Sequence, residues 1–394
     1  MSSTTAPTTM PTPKTSRRIL EAASDPYLIS AAVFLVGVGC VLVYSASAIR
    51  AARSGGETTS FLIRHAQAVV LGFAAMVCTR RIPVDRWSKL TYPVLVLVIL
   101  SLGAVLWTPL GREVNGATRW LSVGPISLQP AELAKFAVVL YLAHSLAKKR
   151  EAVSSFSVGF VPHFLVTALV AGLIFIQPDL GTAAVIFVTM GGILFVAGTR
   201  VGFLAGALAL MVPAVLHYVT SRPHALRRMM AFVHPEAHRS DFGYQTWESL
   251  VAFGSGGRLG RGLGDGSQKL FFLPEGHTDF VFAVLGQELG FVGVTLVLAA
   301  YAVLLGRTFL IAFRLPCRFP MYLVFGIGLC LAVQAATHMA VSMALLPTKG
   351  LTLPLLSFGR TSLVVTLASL GIVLRAGAEV AILPKRHEGG GRRR

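Results

Sequence analysis

Apolar segments long enough to cross a bilayer recur along the whole chain, and nothing else in the sequence constrains its fold as strongly. A spanning helix needs about 20 mostly apolar residues. Segments 27–48, 62–78, 91–108, 130–147, 159–177, 181–199, 201–220, 280–305, 319–340 and 361–382 qualify, ten in all. Two joints are tight: Pro178-Asp179-Leu180 separates the fifth from the sixth, and Arg200 the sixth from the seventh. Merging either pair would make the count odd, so charge must decide it. With the N-terminus inside, and Arg375 counted into the C-terminal tail, the inner segments carry 20 Lys or Arg against 7 on the short outer ones. Positive charge on short loops marks the cytoplasmic side. The expected fold is an all-α integral membrane protein with ten transmembrane helices and both termini cytoplasmic. Its large extracytoplasmic loop, 221–279, joins helices 7 and 8. Residues 1–24 read as a disordered basic tail and 384–394 as a second basic tail, flanking one membrane domain over 25–383. The first apolar run starts late and is full length, which argues against a cleavable signal peptide.

Composition agrees. The chain is 54% hydrophobic and only 13% charged, whereas soluble domains run near 25% charged, so a soluble enzyme is excluded. The net charge of +18 is mostly topological and needs no nucleic-acid partner. Four cysteines form no C-x-x-C and no Cys/His cluster, so neither zinc nor a disulfide framework is indicated.

Four polar segments then share the outer face: 109–129, 178–180, 221–279 and 341–360. From Gly254 to Gly266 the chain reads GSGGRLGRGLGDG, without the order of a Walker A loop and on the wrong side for ATP. It is either a loop with several positive-φ positions or a phosphate cradle. Ionisable groups inside spans are costly, about 2.5–3.5 kcal/mol each on insertion scales, and are functional candidates. Glu132 and Lys135 open the fourth span at i, i+3, on one helix face. They are either a self-neutralised pair or half of a polar cavity. Asp279 stands where the outer loop becomes the eighth span, as a helix cap or as a partly desolvated base. His277 beside it has no ligand-spaced partner. Asp179 follows Gln177-Pro178 in ordinary turn chemistry. Arg119 beside Trp120 either clamps a phosphate or anchors the bilayer edge, and Lys349 lies in a Pro-bounded outer loop. Acids and cations together on an outer face suit a substrate with a lipid tail and an anionic head.

Several motifs in order carry a resemblance. They are Asp25-Pro26, Tyr44-Ser45-Ala46-Ser47, NGATRW at 115–120, LQPAELAKF at 128–136, QPDLGTA at 177–183, LPEGHTDFVFAVLGQELGFVG at 273–293 and PTKGLTLPLLSFG at 347–359. From about Asp25 to Leu383 the chain resembles the SEDS family of bacterial membrane proteins (shape, elongation, division and sporulation), its division branch more than its elongation branch. The resemblance implies a peptidoglycan glycosyltransferase that polymerises lipid II at the outer face of the cytoplasmic membrane. Asp279 would deprotonate the acceptor sugar hydroxyl, which attacks the anomeric carbon of the undecaprenyl-pyrophosphate donor with inversion. Arg119 and Lys135 would meet the pyrophosphate, with Glu132 orienting Lys135. Gln129, Asp179, His277 and Lys349 fall in matching motifs and are grouped with the substrate-binding residues. A divalent ion, Mg or Mn, could also neutralise the pyrophosphate, although no dedicated metal site is visible. The implied partners are a class B penicillin-binding protein transpeptidase and other divisome membrane proteins.

The chain also departs from the family. Phe358, Arg360 and Thr361 interrupt the usual Ser-Tyr-Gly-Gly-Ser-Ser, Gln287 replaces a Glu, and His338, Ala340, Ser342 and Ala344 replace Asn and Gly residues in the ninth span. An elongation-type polymerase, a lipid II transporter and a non-catalytic divisome scaffold are the competing functions.

Overall fold

The computed structural model describes residues 25–53, 60–114, 116–124, 126–239, 241, 243–264, 276 and 278–382. Both tails, Asn115 and His277 therefore lie outside the described residues. The helices are α1 (Pro26–Arg53), α2 (Ser60–Arg81), α3 (Val84–Trp107), α4 (Pro130–Lys149), α5 (Val161–Ile176), α6 (Leu180–Ala197), α7 (Val201–Ser221), α8 (Pro223–Val233), α9 (Tyr244–Gly256), α10 (Val281–Arg314), α11 (Arg318–Ser342) and α12 (Arg360–Ile382). Among the described residues, nine helices are long and apolar enough to cross a membrane. Helix α4 has 20 residues, or about 30 Å, and carries two buried charges, Glu132 and Lys135. It lies at the centre of the bundle against α3, α6 and α11, while α12 packs on α2, and α10 packs on α1 and α11.

Side-chain ties identify one end of the bundle. Asp25 caps α1 through the Leu28 amide at 3.1 Å and pairs with Arg307 near the end of α10 at 2.6 Å. Glu379 at the end of α12 pairs with Arg375 at 2.8 Å and accepts the Val84 amide at the α2–α3 turn. The opposite end holds a feature the sequence reading left unstructured. Within 109–129, strands β1 (Gly111–Val114), β2 (Ala117–Val123) and β3 (Ile126–Leu128) form an antiparallel sheet in the order β1-β2-β3.

The glycine-rich segment has a structural role. Helix α10 breaks at Gly290, where φ is 63° and ψ is −162°, a region essentially restricted to glycine. Broken backbone within a membrane must be satisfied by protein, and residues 257–262 do this. Arg261 and Gly262 donate to the Gln287 and Glu288 carbonyls, and Phe291 and Val292 donate to Gly257 and Arg258, all at 3.0–3.1 Å. Gly260, at φ +81°, lies so close that a Cβ would stand 2.1 Å from the Glu288 carbonyl oxygen. Residues 257–262 form a backbone splint against α10. Glu288 also accepts the Ser45 hydroxyl of α1 at 2.7 Å, and Gln287 donates to Ser255 at 3.1 Å.

Candidate active site

At the sheet-bearing end a cleft of about 260 Å³ opens between β2, the 177–181 turn, α7, α8 and the 347–350 loop. Each element delivers a specific group. The register of β1 on β2 shifts between Arg112 and Glu113, pairing Arg112 with Trp120 and Glu113 with Thr118. Arg119 is the extra residue of this bulge, and bulges re-aim side chains. Its guanidinium donates to the Gln177 carbonyl at 3.1 Å and to the Pro178 carbonyl. These bonds use Nε and Nη2, and Nη1 turns toward Gly350. Asp179 caps α6, accepting the Thr182 amide at 3.1 Å and the Thr182 hydroxyl at 2.8 Å. Asp179 thus caps α6, as its turn chemistry suggested, and also lines the cleft. Lys349 lines the cleft on the loop after α11.

Asp279 stands at the cleft's edge. A Cβ placed on Gly350 would lie 3.3 Å from its Oδ2 and 3.5 Å from Arg119 Nη1, so a carboxylate and a guanidinium converge on one glycine. The backbone around Asp279 is tied down, because Ser357 donates to the Thr278 carbonyl at 2.7 Å and accepts the Leu353 amide at 2.8 Å.

Sequence reasoning missed three polar lining residues: Tyr218, Arg222 and Arg228. Both arginines come from the long 221–279 loop, where no motif singled them out. The available signal was the apolar stripe of α8, with Leu226, Met230 and Val233 at helical spacing and exposed, which leaves Arg228 on another face. Four cations, Arg119, Arg222, Arg228 and Lys349, thus share one cleft with few acids. Their charges oppose one another. Burial and then Arg228 push the Lys349 ammonium down to about 8; Asp179 pulls the other way, by more than Arg119 adds to the lowering. Burial and Arg119 also lower Arg228, while Asp279 and Tyr218 oppose the shift. A cleft whose cations destabilise one another is matched to a multiply charged anion.

Glu132 and Lys135 are not brought to this cleft. They pair at 2.8 Å, both about 6% exposed, beside a separate cavity of about 30 Å³ between α4, α11 and α12. Their i, i+3 spacing fixed a shared face, and that face turns into the bundle. Lys135 also donates to Gln334 Oε1 at 2.5 Å. Lys135 is thus tied within the bundle, away from this cleft. Gln129 is half-buried before α4, its amide donating to Thr361 at 3.2 Å, and does not line the cleft. His277 lies outside the described residues.

The donor set does not fit a protein-held divalent ion. Asp179 is committed to Thr182, cations surround Asp279, and no group of three His, Cys, Asp or Glu occurs among the described residues.

Known proteins of similar sequence and fold are numerous. The FtsW/RodA/SpoVE family, described as cell cycle protein, matches residues 26–381. The probable peptidoglycan glycosyltransferase FtsW of Trichlorobacter lovleyi is 38% identical over 360 residues, 91% of this chain and 94% of that protein. Its counterpart from Aeromonas salmonicida is 40% identical over 362 residues, covering 90% and 91%. Among solved structures, a chain from a peptidoglycan synthase complex that coordinates polymerization and crosslinking gives a TM-score of 0.76 at 31% identity, covering 91% and 98%. The rod shape determining protein RodA of Thermus thermophilus gives 0.66 at 31% identity, covering 90% and 97%.

Proposed function

The chain belongs to the FtsW/RodA/SpoVE family of multi-pass membrane proteins, and on that premise we propose that it is a division-type peptidoglycan glycosyltransferase. Its substrate would be lipid II, drawn from the outer leaflet of the cytoplasmic membrane. Ten spans, with α4 as the tenth, and cytoplasmic tails flanking one domain over 25–383 fit this reading. The FtsW names of the relatives favour division over elongation. The observation that carries the chemistry is the convergence of Asp279 and Arg119 on Gly350 at the edge of a cation-rich cleft.

The steps follow from that geometry. Asp279 takes the proton of the acceptor sugar hydroxyl, whose oxygen attacks the anomeric carbon of the donor. The bond from that carbon to the phosphate oxygen breaks, and the pyrophosphate leaves with the electron pair. Developing negative charge falls among Arg119, Arg228 and Lys349, with Arg222 at the rim. Fixed cations in a partly water-excluded cleft stabilise that charge without reorganising. One displacement inverts the anomeric centre, and no step needs a metal. Asp179 sets the α6 terminus and the turn whose carbonyls hold Arg119.

A class B penicillin-binding protein is the proposed partner, supported by the likeness to a chain of a synthase complex. Other divisome proteins are expected on the same outer loops. Purified protein with labelled lipid II and a candidate transpeptidase tests the activity. Glycan polymer on a gel is the expected product. Lipid II moved across vesicles without polymer would instead indicate a transporter, and neither outcome would indicate a scaffold.

A further inference from the structure

Two buried side chains of α11 remain outside this chemistry, yet both reach the loop that carries Lys349 and Gly350. Gln334 and His338 are one helical turn apart and 2% and 1% exposed. His338 Nδ1 lies 2.6 Å from the Leu351 carbonyl oxygen. A carbonyl only accepts, so Nδ1 carries the proton and donates. Gln334 Nε2 donates to the next carbonyl, Thr352, at 2.8 Å and approaches the Thr352 hydroxyl at 3.3 Å. That hydroxyl in turn donates to Ser362 at 3.0 Å.

The amide orientation of Gln334 is fixed chemically. Lys135 is donor-only, so the atom it meets at 2.5 Å must be the Gln334 oxygen, which turns the NH2 toward the loop. Glu132 in turn neutralises Lys135 within the bundle. The ion pair thus sets the polarity of one amide, and that amide holds one carbonyl. The next residues up the chain are Gly350, which abuts Asp279, and Lys349, which faces the cleft.

We propose that Gln334 and His338 are positioning residues for glycosyl transfer, two donors that clamp the Leu351 and Thr352 carbonyls and so hold Gly350 and Lys349 in register with Asp279. The inference rests on Asp279 being the base. Each bond contributes only modestly to stability. Loss of register of about 1 Å at a reacting centre costs far more in rate, up to about a hundredfold.

Amide isosteres test the clamp. In His338→Asn the side-chain nitrogen occupies the position of Nδ1, whereas in His338→Gln it occupies that of Nε2. Gln334→Glu still accepts from Lys135 but cannot donate to Thr352. Polymerisation kinetics of these variants with lipid II and the partner transpeptidase, alongside Asp279→Asn, give the readout. His338→Asn is expected within about threefold of wild-type kcat. His338→Gln and Gln334→Glu are expected to fall at least about tenfold, at equal yield of monodisperse protein. In both weak variants the alkaline limb set by Lys349 moves upward from about pH 8 as the loop leaves its buried seat and its cationic neighbours. Wild-type rates in His338→Gln and Gln334→Glu, or equal losses in His338→Asn and His338→Gln, would overturn the clamp while an inactive Asp279→Asn leaves the base assignment standing. A fully active Asp279→Asn would overturn both.

Discussion

The Asp279 carboxylate abuts the bare α-carbon of Gly350: a methyl group there would stand 3.3 Å from Oδ2 and 3.5 Å from the Arg119 guanidinium. A side chain here would crowd the carboxylate at the point where base and cation meet. Gly350→Ala should displace the Asp279 carboxylate by a few tenths of an ångström, with Arg119 left at ordinary contact distance, while leaving the bundle intact, because Gly350 is exposed in a loop. Polymerisation should drop about tenfold or more with unchanged thermal stability in detergent. Wild-type kinetics would show that this contact is incidental.

Lys349 supplies a pH signature. Its ammonium, held down to about 8, is charged below that value and loses its charge as pH rises through it. A cation that receives the leaving pyrophosphate is needed protonated, so kcat/KM should decline above about pH 8. Lys349→Arg keeps the charge throughout and should remove that limb. An unchanged alkaline limb in Lys349→Arg would assign it to another group.

Arg228 is the cleft's least anticipated member. Removing it by Arg228→Ala should lower kcat/KM for lipid II by about tenfold or more, with Arg228→Lys recovering part of the loss, since charge matters and bidentate geometry adds to it. Steady-state kinetics with varied lipid II check this.

The fold and the site were legible to different depths, for physical reasons. Hydropathy marked every long helix because a bilayer demands length and apolarity, and the acidic start of α4 did not hide it. Asp279 stood out as a charge at a span boundary, and Arg119 as a cation beside Trp120 in an outer segment. Which way the face of Glu132 and Lys135 pointed was not legible, because helical spacing fixes a shared face and says nothing of its neighbour. The three-stranded sheet escaped because strands of 4, 7 and 3 residues carry little periodic signal. The glycine run showed positive φ but not its purpose, which depends on a break in α10 some thirty residues away at Gly290.

That splint makes a stability prediction. A Cβ at position 260 meets the Glu288 carbonyl at 2.1 Å and sits at φ +81°, so Gly260→Ala must displace backbone. It should destabilise the protein by about 2 kcal/mol or more, seen as a lower thermal transition in detergent. Gly254→Ala, with open space around its α-carbon, should be near neutral.

The most direct measurement is glycan polymerisation by purified Asp279→Asn beside wild type, in proteoliposomes with lipid II and the partner transpeptidase. The amide keeps the shape and removes the base. Polymer should fall below about 1% of wild type, while the variant folds normally and still binds the transpeptidase. Glycan strands made by Asp279→Asn at the wild-type rate would contradict the assignment of Asp279 as the base.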